Sequence, residues 1–252
     1  MEKNNKIEII NDLLGYEGLK IIQRPDIFNF SLDSTILASS VTMKCNDKKI
    51  IDLGCGNGYI PIFLTLRTKS HIYGVEIQEE IASLARRSVE LNHLEEQITI
   101  LNEDMKKLHT YFQPSSFDVV TCNPPYFPFQ EDGNTNKSIY QKIARHEIHI
   151  TLAEAIGVAF YLLKDKGTFA LVHRASRMIE IIEELSKNRF EIKRIRLVYP
   201  KVDSPHALAI FIEASKNGKK GSLKIEKPLY VEKTDGTYTD EILEIFNYQK
   251  KV

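Results

Sequence analysis

Two hydrophobic rhythms take turns along this chain. Short apolar runs predict buried strands at 48–53, 71–75, 97–101 and 117–122. The segments between them repeat their apolar residues at helical spacing and predict helices at 59–67 and 78–92. Strands alternating with helices in this way build a parallel sheet covered on both faces. After a stretch at 123–138 rich in Pro, Asn, Gly and Gln, the pattern resumes with a helix at 152–163, a strand at 167–172 and a helix at 175–187. Two further strands, at 191–198 and 207–214, then follow one another with only a short loop between them, carrying Pro200 and Pro205. Consecutive strands without a helix predict an antiparallel hairpin at the edge of an otherwise parallel sheet.

This divides the chain into an N-terminal extension at 1–45, an α/β core at 46–215 and a tail at 216–252. The tail opens on the basic turn Lys216-Asn-Gly-Lys-Lys-Gly221, passes Pro228 and ends with a helix predicted at 239–246. No fixed-period repeat is present.

Composition narrows the picture. With 252 residues and 42% hydrophobic side chains, the chain is long enough to bury a substantial core. Its 34 basic and 34 acidic residues cancel, so any nucleic acid must be held by a local basic patch and not by a global field. The cysteines Cys45, Cys55 and Cys122 form no C-x-x-C and leave one unpaired, as expected in a reducing compartment. The first ten residues, MEKNNKIEII, lack the uninterrupted apolar segment of a secretory signal. The longest apolar run, at 155–163, falls well short of the roughly 20 residues of a membrane span. A soluble cytoplasmic protein with no membrane partner is expected.

The chemistry begins at Ile50-Ile-Asp52-Leu-Gly54-Cys-Gly56-Asn-Gly58-Tyr59, between the first core strand and its helix. Glycines here let the backbone turn sharply and approach a ligand closely. A nicotinamide-type G-x-G-x-x-G would continue with Gly or Ala where this chain has Tyr59. Asp52 also places a carboxylate where a pyrophosphate would sit, which favours a cofactor without phosphates. The second strand ends in Val75-Glu76-Ile77, an acid about twenty residues past the glycines and suited to accept from two ribose hydroxyls. The third is followed by Glu103-Asp104-Met105, where Asp104 is placed to accept an adenine amine. Taken singly, Glu76 reads as well as a solvated strand-end charge and Asp104 as a helix cap.

Together, acids and glycines at successive strand ends describe a pocket for an adenosine-bearing sulfonium. Over residues 46–215 the chain resembles the class I S-adenosylmethionine-dependent methyltransferases. The resemblance implies a Rossmann-like α/β fold with a seven-stranded, mostly parallel sheet, a C-terminal antiparallel hairpin and helices on both faces. It implies S-adenosylmethionine as cofactor, bound by Asp52, Gly54, Gly56, Gly58, Glu76, Ile77, Asp104, Met105 and Asn123.

At the end of the fourth strand stands Asn123-Pro124-Pro125-Tyr126. Two prolines fix the backbone and remove two N–H donors, so the Asn123 side-chain oxygen and the Pro124 carbonyl are presented as acceptors to an amine or amide. The motif resembles the N-P-P-Y of amino-methyltransferases. That likeness implies direct in-line attack of the amine on the methyl, with Asn123 and Pro124 orienting the nitrogen and Tyr126 stacking on the target ring, extended by Phe127 and Phe129.

Three further segments sharpen the resemblance. Phe28-x-Phe30-Ser31-x-Asp33, then N-P-P-Y-F, then Ala144-Arg145-His146-Glu147, together with Tyr199-Pro200 and the Gly/Lys turn, make the chain similar to the bacterial tRNA1(Val) adenine-37 N6-methyltransferase family. The likeness implies that Phe30, Ser31 and Asp33 close over the cofactor and that Arg145 flanks a tRNA substrate. In structural terms, Asp33 or Ser34 serves equally as a cap for the helix that follows. His146-Glu147, with no third ligand at suitable spacing, is weak ground for a base or a metal, and no metal and no obligate protein partner are expected.

Two basic runs remain. Residues 187–201 hold six basic side chains against Glu191, and residues 216–227 hold five against Glu226. Such runs are most often solvated faces. Opposed to the acids Glu79, Glu80, Glu90, Glu95 and Glu96 they make the neutral chain a dipole, which nominates Arg194, Arg196, Lys219 and Lys220 as phosphate contacts. The competing readings are a protein-glutamine N5-methyltransferase, an rRNA base N-methyltransferase and a non-catalytic RNA-binding module.

Overall fold

The computed structural model describes residues 7–26, 32–124 and 150–246. In chain order the hairpin β1 (Ile9–Leu13) and β2 (Tyr16–Gln23) is followed by α1 (Leu32–Ser40), β3 (Lys49–Leu53), α2 (Tyr59–Leu64), β4 (His71–Glu76) and α3 (Glu79–Leu91). Next come β5 (Ile98–Asn102), a 3₁₀ helix (Met105–Thr110), β6 (Phe117–Cys122), α4 (Leu152–Leu162) and β7 (Leu163–Arg174). The chain continues through α5 (Met178–Lys187), β8 (Phe190–Lys201), β9 (Ala209–Lys216), β10 (Lys224–Ile225), β11 (Leu229–Glu232) and α6 (Asp240–Phe246).

The main sheet runs β10-β8-β9-β7-β6-β3-β4-β5, with β11 also on β8. Strands β3 to β7 are mutually parallel, and β9 is antiparallel to both β7 and β8. This is the expected seven-stranded, mostly parallel sheet with its terminal hairpin. The tail adds to it: β10 and β11 pair in parallel with the outer edge of β8, so an edge that would expose unpaired backbone is covered.

Alternation along the strands sorts the core onto two faces. Ile50, Val119, Val172 and Phe211 pack with Phe63 and Leu37 on one side. Their strand neighbours Ile51, Val120, Leu171 and Ile212 pack with Ile156 and Ile181 on the other. Both faces being buried, these strands read as continuous apolar runs, which is why they were legible.

Several boundaries move. The helix expected at 59–67 stops at Leu64, because Thr65, Leu66 and Arg67 donate to carbonyls three residues back, at 3.2, 3.1 and 2.9 Å, and wind the end as a tighter turn. The helix expected at 175–187 begins with a 3₁₀ turn, Ala175–Arg177, before α5. The helix expected after Asp33 or Ser34 is α1, which begins at Leu32, whereas the β1–β2 hairpin was not expected. β1 has four exposed residues out of five, so it shows none of the alternation that marks a half-buried strand.

The hairpin is fastened to α3. Ser88 Oγ accepts from the Ile22 N–H at 3.0 Å, and Asn92 both accepts from and donates to the Lys20 backbone at 2.7 Å. Arg24, 3% exposed, pairs with Asp26 and with Glu80 of α3. The two ends of the described chain meet where the Gly15 N–H donates to the Phe246 carbonyl at 3.2 Å.

Arg194 of β8 knits this edge together. Its Nε donates to Glu226 at 2.6 Å, its Nη1 to Glu213 at 3.0 Å and to the Ser40 carbonyl and Thr42 Oγ1 at 2.9 Å, with its plane over the Phe211 ring. Glu213, 6% exposed, also accepts the Thr42 N–H at 2.8 Å. Arg194→Ala leaves that carboxylate buried without its cation and should cost about 3 kcal/mol of stability in urea unfolding. Loss of tRNA affinity with stability unchanged would instead make Arg194 an RNA contact.

Candidate active site

Because β3, β4, β5 and β6 are parallel, the segments after them gather at one sheet edge, where ligands of open α/β sheets bind. A cavity lies there, lined by the glycine turn after β3, by Glu76, Ile77 and Gln78 after β4, by Glu103, Asp104 and Met105 after β5, and by Asn123 and Pro124 after β6.

Gly54, Gly56 and Gly58 all adopt positive φ, at 73°, 55° and 88°. Gly58 needs it most, since any Cβ there would also meet Ala85 of α3 at 3.3 Å. The turn is pinned to β4: the N–H groups of Gly54 and Cys55 both donate to the Val75 carbonyl at 2.9 Å. Glu76 then ties both sides, Oε2 accepting from the Gly56 N–H at 3.2 Å and Oε1 from the Gln78 N–H at 2.9 Å. Burial raises the Glu76 carboxyl, and these two backbone donors oppose the rise.

Asp52 lies fully buried beneath the turn, its Oδ1 accepting from Thr121 Oγ1 at 2.6 Å. Burial pushes its carboxyl up to about 7; the Thr121 hydrogen bond opposes this and the Glu76 charge adds to it. Among the described residues Asp52 Oδ2 and Gln78 Oε1 are buried acceptors with no donor. Asp104 takes the plainer role as cap of the 3₁₀ helix, accepting the Lys106 N–H at 2.9 Å, and still lines the cavity. Met105 faces the glycine turn, 3.8 Å from where a Gly54 Cβ would stand.

On the acceptor side, Asn123 Nδ2 donates to Ser34 Oγ of α1 at 3.1 Å. The next residue, Thr35, meets the Tyr59 hydroxyl at 2.9 Å, and Asn57 Nδ2 donates to the Ile22 carbonyl at 3.1 Å. The N-terminal extension thus supplies part of the wall.

Of the cofactor positions named from sequence, Gly54, Gly56, Glu76, Ile77, Asp104, Met105 and Asn123 line the cavity, while Asp52 and Gly58 support the turn from below and behind. Asp33 falls in the first turn of α1, where a carboxylate favours the helix, and it is Ser34 beside it that reaches the cavity. Phe30, Ser31, Pro125, Tyr126, Phe127, Phe129, Arg145, His146 and Glu147 lie outside the described residues.

The basic candidates do not join the site. Arg194 is committed to Glu213 and Glu226, and Arg196 donates to the Lys227 carbonyl at 3.0 Å and to Glu241 at 2.6 Å. Both are structural ties between β8 and the tail. Lys219 and Lys220 follow β9, which runs antiparallel, and so lie at the opposite edge of the sheet. The register Arg174↔Ala209 at one end and Thr168↔Ser215 at the other separates the edges by roughly 20 Å.

Missed from sequence were Ser34 as a cavity residue, Gln78, Cys55 and Ile150. Cys55 stands within the glycine motif but carries none of its signal, and only the fold brings Ile150 to the same cavity as Leu53.

S-adenosylmethionine fits this cradle. Three carboxylates, Glu76, Glu103 and Asp104, line it and no Lys or Arg does among the described residues, which suits a cationic sulfonium better than a pyrophosphate. The unmet Gln78 oxygen on the cavity wall is an acceptor waiting for a donor such as an ammonium or a hydroxyl. Ile77, Ile81 and Met105 supply apolar surface for an adenine. Among the described residues no group of three His, Cys, Asp or Glu side chains forms a metal site, and no helix is long and apolar enough to cross a membrane.

Fold and cavity together define a nucleoside-binding α/β transferase. The chain belongs to the methyltransferase domain family, whose pattern it matches over residues 44–246. It is similar to the tRNA1(Val) (adenine(37)-N6)-methyltransferase of Cytophaga hutchinsonii, 22% identical over 190 residues covering 75% of this chain and 78% of that protein. The protein of the same name from Trichodesmium erythraeum is 26% identical over 220 residues, 84% of this chain and 86% of the other. Among solved structures, an Agrobacterium tumefaciens protein described as a predicted O-methyltransferase superposes with TM-score 0.67 at 23% identity, over 88% of this chain and all of that one. The M. jannaschii tRNA m1G37 methyltransferase superposes with TM-score 0.58 at 17% identity, over 86% of this chain and 59% of the other.

The raised Asp52 carboxyl carries a linkage consequence. From its unfolded value of 3.8 up to about 7 the folded protein holds a proton that the unfolded chain releases, so this contribution to stability is complete at low pH and lost as pH rises to about 7. The ligand-free protein should therefore lose on the order of a few kcal/mol from this group between pH 4 and 8. In Asp52→Asn, melting curves should show a flatter pH dependence, and calorimetric affinity for S-adenosylmethionine should fall at least tenfold at pH 8. Parallel pH profiles for the two proteins would refute the assignment.

Proposed function

We propose that this protein transfers a methyl group from S-adenosylmethionine to the N6 amine of adenine in tRNA, at position 37 of a valine tRNA. The observation that carries the reading is Asn123-Pro124 at the mouth of an acid-lined cofactor cavity. The names of the relatives support tRNA and the N6 position.

When bound, S-adenosylmethionine supplies an electrophilic methyl on a cationic sulfur. The chain's task is to present a nitrogen lone pair to it. Asn123 and the Pro124 carbonyl are acceptors matched to the two N–H bonds of an exocyclic amine, which turns the nitrogen's lone pair toward the methyl. The amine proton departs as or after the C–N bond forms. Tyr126, following on the same segment, is the residue proposed to stack on the extruded base, since an aromatic face tolerates a flipped nucleotide. Arg145 is proposed to flank the RNA. The carboxylates around the cavity hold the cationic cofactor by charge, and its neutral product loses that attraction, which favours release.

The test is methyl transfer from labelled S-adenosylmethionine into tRNA lacking the modification, followed by nucleoside analysis and mapping. N6-methyladenosine at one position of a valine tRNA is expected, and Asn123→Ala should reduce kcat at least a hundredfold while cofactor affinity stays within a few fold. Transfer to a protein glutamine or to rRNA in place of tRNA would keep the fold and overturn the substrate. Cofactor binding with no transfer to any of them would favour a non-catalytic module.

The basic turn at Lys219-Lys220 makes a separate test possible. Lying at the far edge of the sheet, it is remote from the target base. The Lys219→Glu/Lys220→Glu protein should keep kcat at saturating tRNA within twofold of wild type, any effect being confined to KM and its salt dependence. A large fall in kcat would require the RNA to reach the far edge for chemistry.

A further inference from the structure

The Asn123 amide is planar, and its two edges have opposite chemistry: oxygen accepts, nitrogen donates. An acceptor amine needs the oxygen edge, because an NH₂ edge would meet it donor against donor. The amide must therefore be held in one of two orientations that differ little in shape. We propose that Ser34 is the positioning residue that holds it, an inference that rests on the reading of Asn123 as the acceptor for the substrate amine.

Three observations carry this. Asn123 Nδ2 donates to Ser34 Oγ at 3.1 Å, so the nitrogen edge is turned toward α1 and the oxygen edge away from it. Ser34 is 6% exposed and lines the cofactor cavity together with Asn123, so the contact is made in the site itself and is shielded from competing water. The helix bearing Ser34 is fixed from the other side, where Thr35 meets the Tyr59 hydroxyl at 2.9 Å just beyond the glycine turn. One rigid helix turn thus contacts both the segment that presents the amine and the segment that cradles the cofactor. The strands behind the two segments, β3 and β6, are already neighbours, joined by the Asp52–Thr121 hydrogen bond; α1 adds a second tie, between the loops that follow them.

This function is invisible in a motif. Asn123 and Ser34 are 89 residues apart. In the sequence Ser34 reads as a helix cap, a role that needs only the first turn and no partner at the end of β6.

Ser34→Ala tests the proposal. Its kcat should fall about tenfold or more, while the calorimetric affinity for S-adenosylmethionine stays within twofold and melting within a few degrees. Ser34→Thr, which keeps the oxygen, should recover to within about threefold of wild type. Because Ser34 acts through Asn123, adding Ser34→Ala to Asn123→Ala should cost nothing further. A fall in kcat matched by lost cofactor affinity, or a double variant tenfold worse than Asn123→Ala alone, would make Ser34 a merely structural residue and overturn the idea. The hydrogen bond also has a readout needing no substrate: the Asn123 side-chain NH₂ pair in an ¹⁵N-correlation spectrum, assigned by its absence in Asn123→Ala, should shift in Ser34→Ala. No shift overturns the positioning role, whichever molecule accepts the methyl. If the shift is seen but wild-type protein leaves tRNA unmethylated, the substrate reading fails and the Ser34–Asn123 contact stands.

Discussion

Two carboxylates buried side by side under one glycine turn set the terms for the rest of this structure. Asp52 and Glu76 sit at the ends of adjacent parallel strands, and burial raises both. An isolated carboxylate in such a place costs several kcal/mol unless hydrogen bonds or a cation meet it. Glu76 is met by backbone, the Gly56 and Gln78 N–H groups, and so becomes the clasp that shapes the turn. Asp52 is met only on one oxygen, by Thr121. The free protein therefore carries an unmet carboxyl oxygen beneath the turn.

The same constraint explains why the N-terminal extension is part of the site. A parallel sheet offers strand ends as a row, open on the side away from the helices. Here α1 and the β1–β2 hairpin close that side. Arg24 clamps the hairpin to Glu80 of α3, Asn57 of the glycine turn donates to the Ile22 carbonyl, and Ser34 and Thr35 reach Asn123 and Tyr59. Far along the chain, Arg194 grips the other end of α1 through the Ser40 carbonyl and Thr42. What looks like an appendage in sequence is thus held at both ends and forms part of the cavity wall.

Legibility followed the physics of each element. The parallel strands were readable, though not their order, because burial on both faces leaves largely apolar runs such as Lys49–Leu53 and Phe117–Cys122. The cavity's acids were readable because strand ends fall at fixed intervals in repeating βα units, so Glu76 and Asp104 could be placed at one edge from spacing. The β1–β2 hairpin was not: its outer strand is exposed and its inner one is held by contacts to α3 more than 60 residues away. Ser34 was seen as a cap because local chemistry offers that role, while its contact with Asn123 exists only in three dimensions. Asp104 went the other way, since its plain reading as a cap and its place in the cavity both hold.

The basic runs show what sequence charge counts omit. Lys216 to Lys227 and Lys187 to Lys201 looked like one surface because they are close in the chain and share a sign. Strand direction separates the Lys219-Lys220 turn from the cavity. β9 runs against its neighbours, so its end, and the lysines that follow, are carried to the edge opposite Asn123. The arginines between are drawn inward instead, Arg194 by Glu213 and Glu226, Arg196 by Glu241, because a strand on the sheet's outer edge needs partners to hold the tail that covers it. A guanidinium already committed to two carboxylates has little left to offer a phosphate, and freeing it would leave Glu213 buried and alone. In a chain of zero net charge, then, many of the clustered lysines and arginines answer to partners within the fold: Arg194, Arg196 and Lys201 of β8 pair with Glu226, Glu241 and Glu232 of the tail.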